Sequence, residues 1–226
     1  MKFKTSFHKM KKVSTLQVFL TVLYVSSLLI SNVITSKQVL LPFNITMTGA
    51  IVIFPITYIL SDVFSEVYGY KWSRFSCYLA FLMNILMVAV FSLAIATPAP
   101  EYWTNQEAFQ TVLGNTPRVL IASLLAYVIG DLVNDRIFRR MKAKYPTTHK
   151  AFGWRALISS FAGEFIDSLI FLPLAFIGQM PGKTLVIMAI TQVFIKTMYE
   201  VLILPVTRFV VVKLSKYENT VIEEEI

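Results

Sequence analysis

Cysteine occurs once in these 226 residues, histidine twice, and charged side chains make up only 15% of the chain, against roughly a quarter in ordinary soluble domains. The single thiol, Cys77, excludes an intramolecular disulfide and any cysteine-based metal cluster. His8 and His149 both sit near basic ends, which disfavours histidine-rich metal transport. The apolar segments hold no serine–histidine pairing, metal-ligand spacing or cofactor fingerprint, so neither an enzyme nor a cofactor is expected.

What is abundant is hydrocarbon: 56% hydrophobic residues and a mean hydropathy of +0.64. The apolar residues gather into six runs, approximately 13–35, 47–69, 75–97, 117–138, 155–179 and 185–212. Each is near or above the ~20 residues that cross a ~30 Å hydrocarbon core. Lipid leaves no backbone group unpaired and no ten-residue alternation recurs, so the spans are predicted to be helices and not barrel strands. The expected fold is an all-α integral membrane protein, one domain of six transmembrane helices over residues 1–226, followed by a short charged tail at 213–226. Each half of the chain carries three spans, an odd number, so a repeated half would be inverted across the membrane. The basic start fits a signal peptide, but the apolar stretch from Val13 to Ile34 exceeds a signal core and is read as the first span.

The net charge of +8 raises nucleic acid as a partner, and the placement of the basic residues argues against it. Lys2, Lys4, Lys9, Lys11 and Lys12 precede the first span; Lys71 and Arg74 lie in the turn after the second. Arg136, Arg139, Arg140, Lys142, Lys144, Lys150 and Arg155 surround the fourth connection, and Lys213 and Lys216 follow the last span. Only Lys37, Arg118 and Lys183 fall on the opposite side. Such a bias follows the positive-inside rule and puts both termini in the cytoplasm, with the basic clusters facing anionic lipid.

Two short patterns carry nothing. The stretch from Gly178 to Thr184 imitates a phosphate loop, but it has three residues between the glycines where four are needed and no strand before it; it reads as a Pro-Gly turn. Asn44-Ile45-Thr46 matches a glycosylation sequon that recurs by chance.

Six ionisable side chains lie inside the spans: Asp62, Asp131, Glu164, Asp167, Lys196 and Glu200. A charge at the centre of a spanning helix costs roughly 3 kcal/mol on insertion scales, and chains that keep them usually build a polar pathway or cavity. Counting inward from the span ends places them at similar depth, with Glu66 and Asp135 continuing toward the cytoplasm. Asp62/Glu66, Glu164/Asp167 and Lys196/Glu200 are spaced four, three and four apart, so each pair shares a helix face. One lysine cannot neutralise five carboxylates, which leaves several protonated, solvated or awaiting a donor-rich or cationic ligand. Phe54, Tyr58, Tyr127, Phe161, Phe165 and Tyr199 flank the same layer. Rings beside carboxylates suit a flat heterocycle whose parallel N–H donors a carboxylate accepts in pairs, as on a guanine-like edge. Pro55, Pro173 and Pro205 lie within spans, where a missing amide frees carbonyls toward a cavity.

Phe54-Pro55-Ile56-Thr57-Tyr58 running into Ser61-Asp62-Val63-Phe64-Ser65-Glu66-Val67-Tyr68-Gly69 resembles the signature of the queuosine precursor transporter family, also described as a vitamin uptake family. So do Ala122-Ser123 with Ala126-Tyr127 and Gly130, Gly163-Glu164-Phe165-Ile166-Asp167-Ser168, and Lys196 with Pro205. The resemblance runs from the first span to about Val212. It implies import of 7-deazaguanines such as 7-cyano-7-deazaguanine, 7-aminomethyl-7-deazaguanine or the queuine base across the inner (plasma) membrane, to supply queuosine at the tRNA wobble position. By matching positions, it places substrate binding on Asp167 and Glu164, then Asp62 and Lys196, and more distantly Asp131. Glu200, Tyr58, Phe54, Tyr127 and Phe165 join the expected site from the layer itself. A secondary carrier, coupled to protons or another cation through one of these carboxylates, fits this reading. Two other classes fit the same residues: a substrate-binding component of an energy-coupling-factor complex that docks a separate ATPase module, and a non-transporting membrane scaffold whose charges are interhelical glue. A homodimer is compatible with each.

Overall fold

A computed structural model describes residues 13–144 and 149–224. In chain order it contains α1 (Thr15–Ile34), a hairpin of β1 (Gln38–Leu41) and β2 (Ile45–Thr48), α2 (Phe54–Val63), α3 (Tyr70–Ala96), α4 (Gln106–Leu113), α5 (Thr116–Lys144), α6 (His149–Phe176) and α7 (Gly182–Glu224). Among the described residues, four helical segments are long and apolar enough to cross a membrane: Thr15–Ile34, Tyr70–Ala96, Gln106–Asn134 and Gly182–Ile203. This is a mostly helical, multi-pass membrane protein. The fifth expected span, 155–179, falls on α6, 28 residues long, whose side chains at 149–157 and at 160 lie outside the described residues.

The second expected span is interrupted, within a fold that is mostly helical. Residues 47–69 do not form one helix: Met47 and Thr48 end β2, residues 49–52 make a 3-10 turn, α2 occupies ten residues, and 64–68 close with a π-helical turn. β1 and β2 pair antiparallel from Gln38↔Thr48 to Leu41↔Ile45, joined by Pro42–Asn44, with Asn44 at a φ of 58°. The cause lies in the residues. Ile45, Thr46, Thr48, Ile51, Val52 and Ile53 are β-branched and favour extended backbone, while Pro55 lacks the amide an earlier turn would bond, so the helix starts beside it. From Phe54 to Tyr68 the helix covers about 22 Å at ~1.5 Å per residue, short of a ~30 Å core. Non-helical backbone is tolerated at such depth where protein buries it, and here Met47 and Thr48 are 1% exposed and Ala50 is 0% exposed.

Met47 enters the core with Ala122 of α5, Leu172, Ala175 and Phe176 of α6, and Leu185 and Met188 of α7. Around this core each long helix touches its neighbours in a closed circuit: α3 meets α1, α1 meets α2, α2 meets α7, α7 meets α6, α6 meets α5, and α5 returns to α3. Exposed apolar residues such as Phe19, Leu86, Val90, Leu93, Phe194 and Leu202 line the outside, the inverse of a soluble bundle and the surface lipid requires.

The ends are tied by polar groups. Ser14 caps α1, its Oγ accepting from the Gln17 amide at 3.0 Å. The same hydroxyl donates to Glu218 at 2.7 Å, and the Tyr68 hydroxyl donates to Glu218 at 2.8 Å. Residues 213–224, expected as a tail, instead continue α7 and fold Glu218 back onto α1 and the end of the π turn. At the opposite end Arg118 donates to the Leu174 and Ile177 carbonyls, each at 2.7 Å, satisfying the last turn of α6 where no amide follows. Gly178, at a φ of 83°, turns the chain into α7; the phosphate-loop imitation is this turn.

Candidate functional site

On α7 the residues Leu185, Met188, Gln192 and Lys196 recur at helical spacing, and all four are buried. On α6 the matching face runs Glu164, Ser168, Leu172, Ala175. Positions three or four apart share a face, so both stripes are apolar near the α6–α7 turn and become polar at the same level, halfway along the pair. Lys196 Nζ meets Asp167 Oδ2 at 3.1 Å across that level; the side chains are 10% and 29% exposed. Two of the sequence-predicted residues are thus brought together, from two different helices. Glu164 lies one turn from Asp167, half-buried, with its Oε2 shielded from solvent.

Asp167 is positioned by an unusually close helix contact. A Cβ added to Gly130 of α5 would lie 2.9 Å from the Gly163 carbonyl oxygen and 3.2 Å from the Asp167 Cβ; one added to Gly163 would lie 2.9 Å from the Asn134 Cβ. Two glycines therefore let the backbones of α5 and α6 touch, the small-residue packing expected where lipid offers no hydrophobic drive between helices. Asp167 is held between α5 behind it and Lys196 in front.

Two members of this layer are absent from the sequence expectation. Gln192 is 1% exposed and Ser168 is 0% exposed, and neither Gln192 Oε1 nor Ser168 Oγ has a hydrogen-bond partner among the described residues. An unpartnered buried polar group costs about 1–3 kcal/mol on the protein scale, which makes both candidate site residues. The signal in the sequence was Gln192 four residues before Lys196, a polar side chain on the same face. Replacing Gln192 by Leu tests the assignment: it removes an unpartnered buried oxygen, so the melting temperature in detergent should rise by a few degrees. Uptake should fall at least tenfold. A lower melting temperature with intact uptake would make Gln192 a packing residue.

Asp131 and Tyr127 sit elsewhere. Arg74, expected in a turn, lies on the second turn of α3 because that helix starts at Tyr70 after Gly69, whose φ of 84° lets one residue join the two elements. Its Nη2 donates to Asp131 Oδ2 at 2.7 Å, Nη1 to the Tyr127 hydroxyl at 3.2 Å and Nε to the Tyr70 hydroxyl at 2.8 Å. Consecutive residues are about 100° apart on a helix, so Gly130 faces α6 while Asp131 faces α3. The single polar layer of the sequence reading is, in the structure, two groups on different faces of α5. Asp131 is also neutralised by a cation that the tally of one lysine omitted.

Asp62 is exposed on α2, with Glu66 exposed one turn on; α2 packs beside α7. Phe165 and Phe161 are 43% and 45% exposed on α6. The side chains of Phe54, Tyr58, Glu200 and Asp135 lie outside the described residues. Among the described residues no three histidine, cysteine or acidic side chains gather in a metal-binding group.

The model of the family described as "Putative vitamin uptake transporter" matches residues 48–210. A "Probable queuosine precursor transporter" from Bacillus subtilis (strain 168) is 24% identical over 163 residues, covering 72% of this chain and 71% of that protein. No solved structure matches. The matched region begins at the last residue of β2, which seats the hairpin in the core, and takes in Gly130, Gly163, Asp167, Gln192 and Lys196. This chain belongs to the vitamin uptake transporter family and is a transport protein of the membrane, not an enzyme.

Proposed function

We propose that the protein imports 7-deazaguanine precursors of queuosine across the inner (plasma) membrane as a secondary carrier, with six membrane segments and both termini cytoplasmic. The observation that carries the reading is the Asp167–Lys196 pair at the level where the α6 and α7 faces turn polar, with Glu164, Ser168 and Gln192 beside it. Family membership and the similarity to the probable queuosine precursor transporter of Bacillus subtilis support the substrate class. The distribution of lysine and arginine supports the orientation.

The chemistry follows from the donors and acceptors. Lys196 holds Asp167 oriented while no ligand is bound. A guanine-type edge presents N1–H and a 2-amino group in parallel, and a carboxylate accepts both, the stronger bidentate arrangement. The ligand exchanges with Lys196 for Asp167, while the amide of Gln192, which both donates and accepts, meets a neighbouring lactam or ring nitrogen. Glu164 supplies a second acceptor, suited to the ammonium of an aminomethyl substituent.

The test uses cells that neither make nor import the precursor. Expression of this chain with single precursors in the medium should restore queuosine in tRNA for at least one of them. No rescue by any of them, with membrane expression verified, overturns the proposal.

A further inference from the structure

On a different face of α5 from the one that meets Asp167, α3 and α5 touch through side chains and leave a gap between them. Their seam is filled by long side chains, the Arg74–Asp131 ion pair and the Phe81–Tyr127 ring contact at 5.2 Å, and not by glycine as between α5 and α6. The spacers leave an open trough of about 660 Å³. Its composition changes along the helix axis. Tyr70, Lys71 and Arg74 line it at the first turns of α3, Phe75 follows directly, and Tyr78 lies about 6–12 Å deeper than those three at 1.5 Å per residue, with Val128 and Leu132 of α5 as further apolar lining. Phe75, Val128 and Leu132 are each at least half exposed, at 50%, 51% and 61%.

This polarity gradient matches the bilayer, whose polar shell is some 5–8 Å deep on each side of the hydrocarbon core. Arg74 spends Nη2, Nη1 and Nε on Asp131, Tyr127 and Tyr70. Lys71 is exposed and has no ion pair among the described residues. Beyond the trough, Arg136 and Arg140 are exposed on α5, four and eight residues after Leu132. Counting Asp135 of the same helix with Asp131, Lys71, Arg74, Arg136 and Arg140 still outnumber the acids four to two.

We infer that this trough seats one anionic phospholipid, its phosphodiester against Lys71 and the outer guanidinium groups and an acyl chain along Phe75, Val128 and Leu132. A free phosphate would leave the apolar floor unused, and a zwitterionic head would leave the excess positive charge unanswered. The seat is independent of the transport substrate and of the Asp167–Lys196 pair.

The experiment titrates detergent-purified protein with phosphatidylglycerol or phosphatidylcholine of equal chain length, counting retained lipid by native mass spectrometry. Wild type should retain phosphatidylglycerol preferentially. Lys71→Gln with Arg136→Gln should cut that preference by about fivefold per cation, at ~1 kcal/mol for each basic group at a membrane surface. Lys213→Gln with Lys216→Gln, at the end of α7, should leave it unchanged. All four positions are exposed or half-exposed, so folding is retained and is checked by size exclusion. Equal retention of the two lipids, an unchanged preference in the Lys71/Arg136 variant, or an equal loss in the Lys213/Lys216 variant overturns the inference. Displacement of phosphatidylglycerol by millimolar inorganic phosphate would make the seat an ion site and overturn the lipid assignment.

Discussion

Asp167→Asn is expected to lower 7-deazaguanine uptake by about 100-fold or more while the protein still inserts in the membrane. Breaking a buried ion pair by removing one partner costs roughly 3–5 kcal/mol because the other charge is stranded. Asp167 is 29% exposed and Lys196 10% exposed, so the stability loss should fall toward the lower end, and Lys196→Gln should show a similar one. The informative variant carries both changes. With Asp167→Asn and Lys196→Gln together neither residue keeps a charge facing a neutral partner across the pair, and thermal stability should be no lower than in the less stable single variant. Uptake should not recover, because the carboxylate that accepts the ligand's paired N–H groups is gone. If the double variant transports within a few-fold of wild type, the pair is interhelical glue and the binding site lies elsewhere.

The second large effect is expected at Gly130, which makes no polar contact of its own. Valine there would place a Cβ 2.9 Å from the Gly163 carbonyl oxygen, with further methyl groups beyond, and 3.2 Å from the Asp167 Cβ. Backbone cannot rotate away as a flexible side chain would, so α5 and α6 must separate. Overpacking of this kind costs about 1–3 kcal/mol, a drop of about 2–12 °C at the scale of a 226-residue chain. Uptake should fall about tenfold or more, since Asp167 moves with the backbone it rests on. Gly182→Ala is the control: nothing lies within 4 Å of its added Cβ, and both measurements should stay at the wild-type value. Wild-type behaviour of Gly130→Val would show that the close approach does not position the site.

The helices that hold these residues were readable because their signal is length. Runs at 13–35, 75–97, 117–138, 155–179 and 185–212 became α1, α3, α5, α6 and α7, most of them extended at one or both ends. A stretch that must span lipid has little choice but to bond its backbone internally. The run at 47–69 had the same hydropathy and a different outcome. Apolar, β-branched sequence reads equally as a buried strand or a buried helix, and what separates them here is that α5, α6 and α7 supply a protein environment for Met47. Arg74 shows the same limit at one side chain: the sequence places it at a membrane boundary, but its reach to Asp131 depends on where α3 begins and on α5 lying beside it.

From composition and order alone came a chain that must cross the membrane repeatedly, that keeps costly charges inside it, and whose Asp167 and Lys196 lie at one depth. The assignment of those charges to separate sites required the bundle. Gly130 and Asp131 are neighbours in sequence, yet one turns toward α6 and the other toward α3, because a helix sends adjacent side chains about 100° apart and only packed neighbours decide what each direction meets. Gln192 and Ser168 acquired meaning the same way: a polar side chain is a solvated group until tertiary packing closes around it and leaves its oxygen without a partner.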